Sequence, residues 1–296
     1  MVTQSNILDN QNINVISQMG AFTVLEHKKD LSVPFFRSDR EFFASEMNVR
    51  KRQVMIALNG DKYRLQAGAM QWMSSDVSMS SGITGIGNFL GKMVSAKVTG
   101  ETAAKPVYSG TGTVMLEPTY KYILLIDVSE WGTIVLDDGL FLACEDTLQQ
   151  KVVARGNLSS AVLGAEGLFN LSLSGKGILA CESNVPMDEL IEVRLENDTI
   201  KIDGNMAVAW SGSLDFSVEK SGKSLLGSAV SGEGLVNVYR GTGRILLSPT
   251  AREAKGSTPQ DSDSNKKKSK KVNADTMFDV IDDVFDLAGD VLDIFS

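Results

Sequence analysis

The stretches "VYSGTGTVMLEPT", Val107–Thr119, and "VYRGTGRILLSPT", Val238–Thr250, decide the fold. Eight of their thirteen positions are identical, at an offset of 131 residues. Taken alone, a Gly-x-Gly beside Arg244 and ahead of an apolar run has two readings. It either cradles a phosphate or lets a strand bend. A shorter third copy, "LSGKGILA", Leu173–Ala180, lies between the other two. The glycine pairs Gly110/Gly112, Gly175/Gly177 and Gly241/Gly243 are then 65 and 66 residues apart. "TIVLDDGLFLA" from Thr133 recurs as "TIKIDGNMAVA" from Thr199, and a weaker version, "YRLQAGAMQWM", starts at Tyr63. "EGLFN" from Glu166 recurs as "EGLVN" from Glu233. A long fixed period is the signature of a body built from repeated units. Three units are expected, ending near residues 118, 183 and 249.

Each unit reads as β. "TIVL" and "TIKI" are rich in β-branched residues and run into Asp-Gly turns. "MAVAWSGSLDFSVEK" sets Leu214, Phe216 and Val218 against Ser213, Asp215 and Ser217, the period-2 pattern of one half-buried strand. Closely spaced short strands predict a sandwich or barrel-like fold. Helical periodicity is nearly absent before residue 275. The repeats also weigh against the phosphate reading. A dinucleotide fingerprint needs a helix after the glycines, whereas "TVML", "ILA" and "RILL" follow here. Two of the three copies carry Thr113 or Ile178 where the last has Arg244, so that cation is not part of the repeated design. Any specific action of this copy would rest on Arg240 and Arg244.

"GITGIGNFLGK", Gly82–Lys92, looks like a phosphate-binding loop but fails it. Ile86 stands at the first glycine position and Met93 at the hydroxyl position. The surrounding segment, Ser80–Ala96, reads either as a packed glycine-rich loop or as an exposed apolar loop meeting a partner or membrane. Cys144, Cys181 and His27 form no metal-ligand or triad spacing, so no metal and no catalytic residue is expected. They read as two small buried thiols and one surface imidazole. Glu166 and Glu233, like Asp137 and Asp203, recur at equivalent places and read as turn residues. Acid–base catalysis would need such carboxylates to converge in a pocket. No cofactor is expected.

A net charge of −8 argues against broad binding to nucleic acid. The Asn- and Gln-rich start has no basic, apolar leader pattern, which predicts a cytoplasmic protein. The expected organisation is a disordered start over residues 1–14, a repeated β body over 15–250, and a disordered, Lys-containing linker over 251–274. An acidic amphipathic helix follows over 275–296. Asp279, Asp282, Asp283, Asp286, Asp290 and Asp293 fall on one face of that helix. Phe278, Ile281, Val284, Phe285, Leu292 and Phe295, with Ala288 among them, are the candidate partner-binding residues. This helix either docks on its own body or a neighbouring copy, or serves as a tethered hook for a partner. Six aspartates beside the Lys266–Lys271 cluster do not favour a membrane surface, although they leave one open.

Taken together, "LQAGAMQWMSSDVSMSS", "SGTGTVMLEP", "GAEGLFNLSLSGKGILA", "TIKIDGNMAVAW" and "SGEGLVNVYRGTGRILL" resemble the AIM24 family, linked to mitochondrial biogenesis. The resemblance spans roughly residues 15–250. It implies an all-β fold like that of the tryptophan RNA-binding attenuation protein, duplicated within the chain, and a homo-oligomer, trimers included. It supplies no catalytic residues and no RNA site. The combined expectation is a mainly β, sandwich- or barrel-like body with a C-terminal amphipathic helix. Such a protein would act as a non-enzymatic scaffold that engages an unidentified protein partner. The alternative is a module binding a small molecule or nucleic acid in grooves of the β body.

Overall fold

A computed structural model describes residues 2–74, 76–81, 105–154, 169–220 and 235–250. All of them fall within one compact unit, Met1–Arg252. The body is mainly β, in two antiparallel sheets. Its strands begin with a hairpin, β1 (Ile13–Met19) and β2 (Phe22–His27). Three copies of one pattern follow. In the first, a long strand β3 (Arg52–Leu65) precedes two short strands, β4 (Met70–Met73) and β5 (Val77–Ser80). A long return strand, β6 (Val107–Leu116), completes it. In the second, both long strands are split. β7 (Tyr122–Asp127) and β8 (Thr133–Leu136) lead to β9 (Phe141–Glu145) and β10 (Gln149–Ala154). β11 (Phe169–Ser174) and β12 (Ile178–Ser183) return. The third runs β13 (Ile191–Asp203), β14 (Ala207–Ser211), β15 (Asp215–Lys220) and β16 (Leu235–Leu247). The return strands end at Leu116, Ser183 and Leu247, close to where the sequence repeats end.

The first unit lies wholly in the nine-stranded sheet and the third wholly in the seven-stranded one. The middle unit splits, sending β7, β9 and β12 to one sheet and β8, β10 and β11 to the other. The end strands of the larger sheet, β1 and β7, touch, so that sheet curls almost into a closed barrel. Three apolar clusters fill the body, around Phe22, Ile56 and Leu116; Leu136, Leu173 and Leu179; and Trp210, Tyr239 and Ile245, and each takes residues from a neighbouring unit.

The glycines sit inside the return strand, where it passes the corner between the two short strands. β4 pairs with Val114–Leu116 of β6 and β5 with Val107–Gly110, so Ser74 and Asp76 lie over Gly112 and Gly110. The Ser74 and Thr113 N–H groups close this corner, donating to Thr113 O (2.9 Å) and Ser74 Oγ (3.0 Å). A Cβ on Gly110 would lie 2.1 Å from the Asp76 carbonyl oxygen, and one on Gly112 1.9 Å from Ser74 Oγ. The close approach is what requires glycine. The third unit repeats the device, with the Arg244 N–H donating to Ser211 Oγ at 3.0 Å. In the second, the Glu145 carboxylate takes the serine's place and accepts from Ile178 N–H. The expectation of one strand across "MAVAWSGSLDFSVEK" is corrected for the same reason. Gly212–Leu214 is a corner between β14 and β15.

Neighbouring units join by one repeated edge pairing. At the first joint Tyr63, Arg64 and Leu65 of β3 face Glu145, Cys144 and Ala143 of β9. Gln66 N–H donates to Leu142 O at 2.7 Å and Asp146 N–H to Lys62 O at 2.9 Å. At the second, Ile134, Val135 and Leu136 of β8 face Ser211, Trp210 and Ala209 of β14. Asp137 N–H donates to Val208 O at 3.1 Å and Gly212 N–H to Thr133 O at 2.9 Å.

Among the described residues one α-helix interrupts the β pattern that the sequence suggested, α1 (Ser38–Glu46), entered through a 3-10 turn at Phe35–Arg37. None of its residues is buried. A helix with no core-facing stripe leaves no apolar periodicity to read.

Candidate functional site

The basic residues of the last Gly-x-Gly copy are engaged within the fold. The Arg240 guanidinium bonds Glu219 and Ser217. Arg244 stacks 3.9 Å over the Trp131 ring and donates to the Glu130 carbonyl at 3.0 Å. Both fasten strands.

Cys144 and Cys181 are buried free thiols. Burial pushes the Cys144 thiol up to about 12, despite a hydrogen bond from Gln150. His27 departs from the surface imidazole expected of it. It is half-buried at the end of β2, with Nε2 3.2 Å from Gln53 Oε1. Asp137 is buried and Asp203 exposed, on separate strand ends. Glu166, Glu233, most of Ser80–Ala96 and the candidate residues Phe278, Ile281, Val284, Phe285, Leu292 and Phe295 lie outside the described residues. Among the described residues no group of three His, Cys, Asp or Glu is placed to hold a metal ion, and no helix is long and apolar enough to cross a membrane.

Two features stand out. The first is a polar cleft of about 400 Å³ at the joint between the first two units, lined by Gly60–Tyr63 and Glu145–Thr147. It lies beside the irregularity of β3 between Asn59 and Lys62. Arg64 bonds Asp146 across the same joint. Burial, with the nearby Glu145 and Asp61 charges, pushes the Tyr63 phenol up to about 12. Burial likewise raises Glu145, and Asp61 and Asp127 add to the effect.

The second is the segment Leu31–Met47, "LSVPFFRSDREFFASEM". Phe35, Phe36, Phe42 and Phe43 are 93%, 76%, 57% and 67% exposed, and Leu31 and Met47 are exposed beside them. Polar contacts anchor the segment. Ser45 Oγ donates to Lys28 O at 2.8 Å and Arg50 Nε to Ser45 O at 3.2 Å. The Asn48 side chain meets Tyr122 Oη at 3.4 Å. Below it lies a buried charge network. Arg52 is fully enclosed, 3.9 Å over the Tyr122 ring, and donates to Glu26 at 2.9 Å, while Arg50 reaches the same carboxylate at 3.1 Å. Asp30 is bonded by Ser32, Tyr120 and Lys51. Burial alone would raise its pKa, but these bonds outweigh burial and hold the carboxyl well below the usual range. The phenylalanines are therefore held out on a polar base. The sequence signal for this surface is two Phe-Phe pairs flanking "RSDRE", an arrangement that no core-facing stripe explains.

The chain matches the family described as Mitochondrial biogenesis AIM24 over residues 43–250. An uncharacterized protein of Streptococcus pyogenes serotype M6 is 31% identical over 197 residues, covering 64% of this chain and 77% of the relative. The crystal structure of a Streptococcus pyogenes protein aligns with a TM-score of 0.51 at 27% identity, covering 68% of this chain and 89% of that one. The family match begins at Phe43, so Phe35, Phe36 and Phe42 precede it. With three joined β units spanning the matched residues, the chain belongs to the AIM24 family.

Proposed function

We propose that this protein is a non-enzymatic interaction protein: a self-associating β body that presents the Phe35–Phe43 surface to a protein partner. The acidic segment 275–296, beyond its Lys-containing linker, is a second contact. The exposure of four phenylalanines on one short, polar-anchored segment carries the reading. Contiguous apolar surface of this kind marks an interaction site, and aromatic residues are the usual anchors of such interfaces.

The test is capture from native cell extract with the full chain, with F35S/F36S/F42S/F43S, and with residues 251–296 deleted. Captured proteins are then re-bound in purified form. The expected result is loss of a defined partner with the serine variant and weaker retention with the deletion. An identical set of partners for all three would sink the proposal. Sedimentation of the full chain with lipid vesicles, lost in the serine variant, would move the surface from protein to membrane.

The cleft at Asp61, Lys62, Glu145 and Asp146 supports a second reading, in which a small cationic or hydrogen-bonding molecule binds at the first joint. Its three carboxylates disfavour a nucleic-acid ligand.

A further inference from the structure

The two internal joints are copies of each other, and the third unit and the first each carry an unused half of the same joint. By the repeat, Ile200, Lys201 and Ile202 of β13 occupy the places of Tyr63, Arg64 and Leu65, and of Ile134, Val135 and Leu136. Trp72, Met73 and Ser74 occupy the places of Ala143, Cys144 and Glu145, and of Ala209, Trp210 and Ser211. Among the described residues β13 pairs with β16 alone and β4 with β6 alone, each along one edge.

Side-chain exposure marks the same gap. Tyr63 and Ile134 are buried by their joints, whereas Ile200 is only half-buried. Ala143, Cys144, Ala209 and Trp210 are buried, whereas Trp72 is half-buried and Met73 is 38% exposed. Lys201 holds the position of Arg64, which bonds Asp146 across the first joint, although within its own chain Lys201 lies 3.9 Å from Glu219.

We propose that β13 of one chain pairs antiparallel with β4 of a second copy, setting Ile200, Lys201 and Ile202 opposite Ser74, Met73 and Trp72. The Asp203 N–H donates to the Gln71 carbonyl, as Gln66 does to Leu142 and Asp137 to Val208. The contact is head-to-tail, so each chain uses two different edges, and the assembly is a ring or a linear array rather than a two-fold dimer. This rests on the oligomeric part of the proposed function and specifies its interface.

The test uses full-length chains carrying Met73→Cys, Lys201→Cys or both, under mild oxidation, with circular dichroism to verify folding. Directly opposed residues of an antiparallel pair lie about 4.5–5.5 Å apart at Cα, within disulfide reach. The buried Cys144 and Cys181 supply the wild-type background. A co-refolded mixture of the two single variants should give a product of twice the chain mass, each single variant alone should stay at background, and the double variant should form covalent multimers. Three results would overturn the joint: a mixture at background, a single variant that crosslinks to itself, or a double variant that closes only within one chain. Light scattering on the wild type separates the two readings. An oligomer without the crosslink removes this interface alone, whereas a monomer also removes self-association.

Discussion

A Cβ on Gly110 would lie 2.1 Å from the Asp76 carbonyl oxygen, closer than any side chain permits, and the φ of +128° lies where L-residues are strained. Gly110→Ala is therefore expected to destabilise the body by about 3 kcal/mol or more, from strain and clash together. Gly241→Ala in the third unit meets Ser213 O at 3.7 Å, an ordinary contact, with φ of +116°. It should cost only the backbone strain, about 1–2 kcal/mol. Denaturant unfolding of the two variants gives the comparison, and equal losses would contradict the close-approach account. Glu26→Ala leaves the enclosed Arg52 without its carboxylate and is expected to cost about 3–5 kcal/mol in the same denaturant unfolding, and a loss under about 1 kcal/mol would contradict the buried pair. Tyr63 supplies a pH dependence. Its folded pKa of about 12 lies above the ordinary value near 10, so its contribution is present in full below pH 10 and fades as pH rises toward 12. Unfolding measured from pH 9 to 12 should show the wild type losing up to about 2 kcal/mol more than Tyr63→Phe. Parallel curves would remove the effect.

At the scale of elements, the repeat was legible because identical corners need identical residues. Gly-x-Gly, the β-branched "TIVL" and "TIKI" and the Asp-Gly turns each satisfy a local backbone demand that any copy must meet. The corner within "MAVAWSGSLDFSVEK" was not legible, because β14 is buried along its whole length and the apolar run passes into β15 without a strong breaker, so only the partner strand reveals the bend. α1 was hidden for the opposite reason. Its phenylalanines, Phe42 and Phe43, meet each other but no core, so no periodicity recorded them. The same fact yields a prediction. Because no residue of α1 or of its 3-10 entry is buried, F35S/F36S/F42S/F43S should shift unfolding free energy by no more than about 0.5 kcal/mol per substitution, about 2 kcal/mol in all. A large loss would show that these side chains belong to a core.

At the scale of the molecule, three units joined twice in the same way leave β4 of the first and β13 of the third as the edges that the proposed contact brings together. The sequence period contained the units, but the joints depend on which strand edges meet, and Arg64–Asp146 or Trp210–Val135 leave no mark in the order of residues. The cleft was equally hidden, since Asp61 and Glu145 are brought near each other by the pairing of β3 with β9, 82 residues apart in sequence at Tyr63 and Glu145. Self-association through β4 and β13, with the phenylalanine surface left outward, is the central claim. The most direct measurement is the mass of the full chain in solution by light scattering across a concentration series. The account predicts a multiple of 31.9 kDa that falls toward one chain when Met73 and Lys201 are both replaced by proline. A mass of one chain at every concentration, or an oligomer indifferent to those two changes, would contradict it.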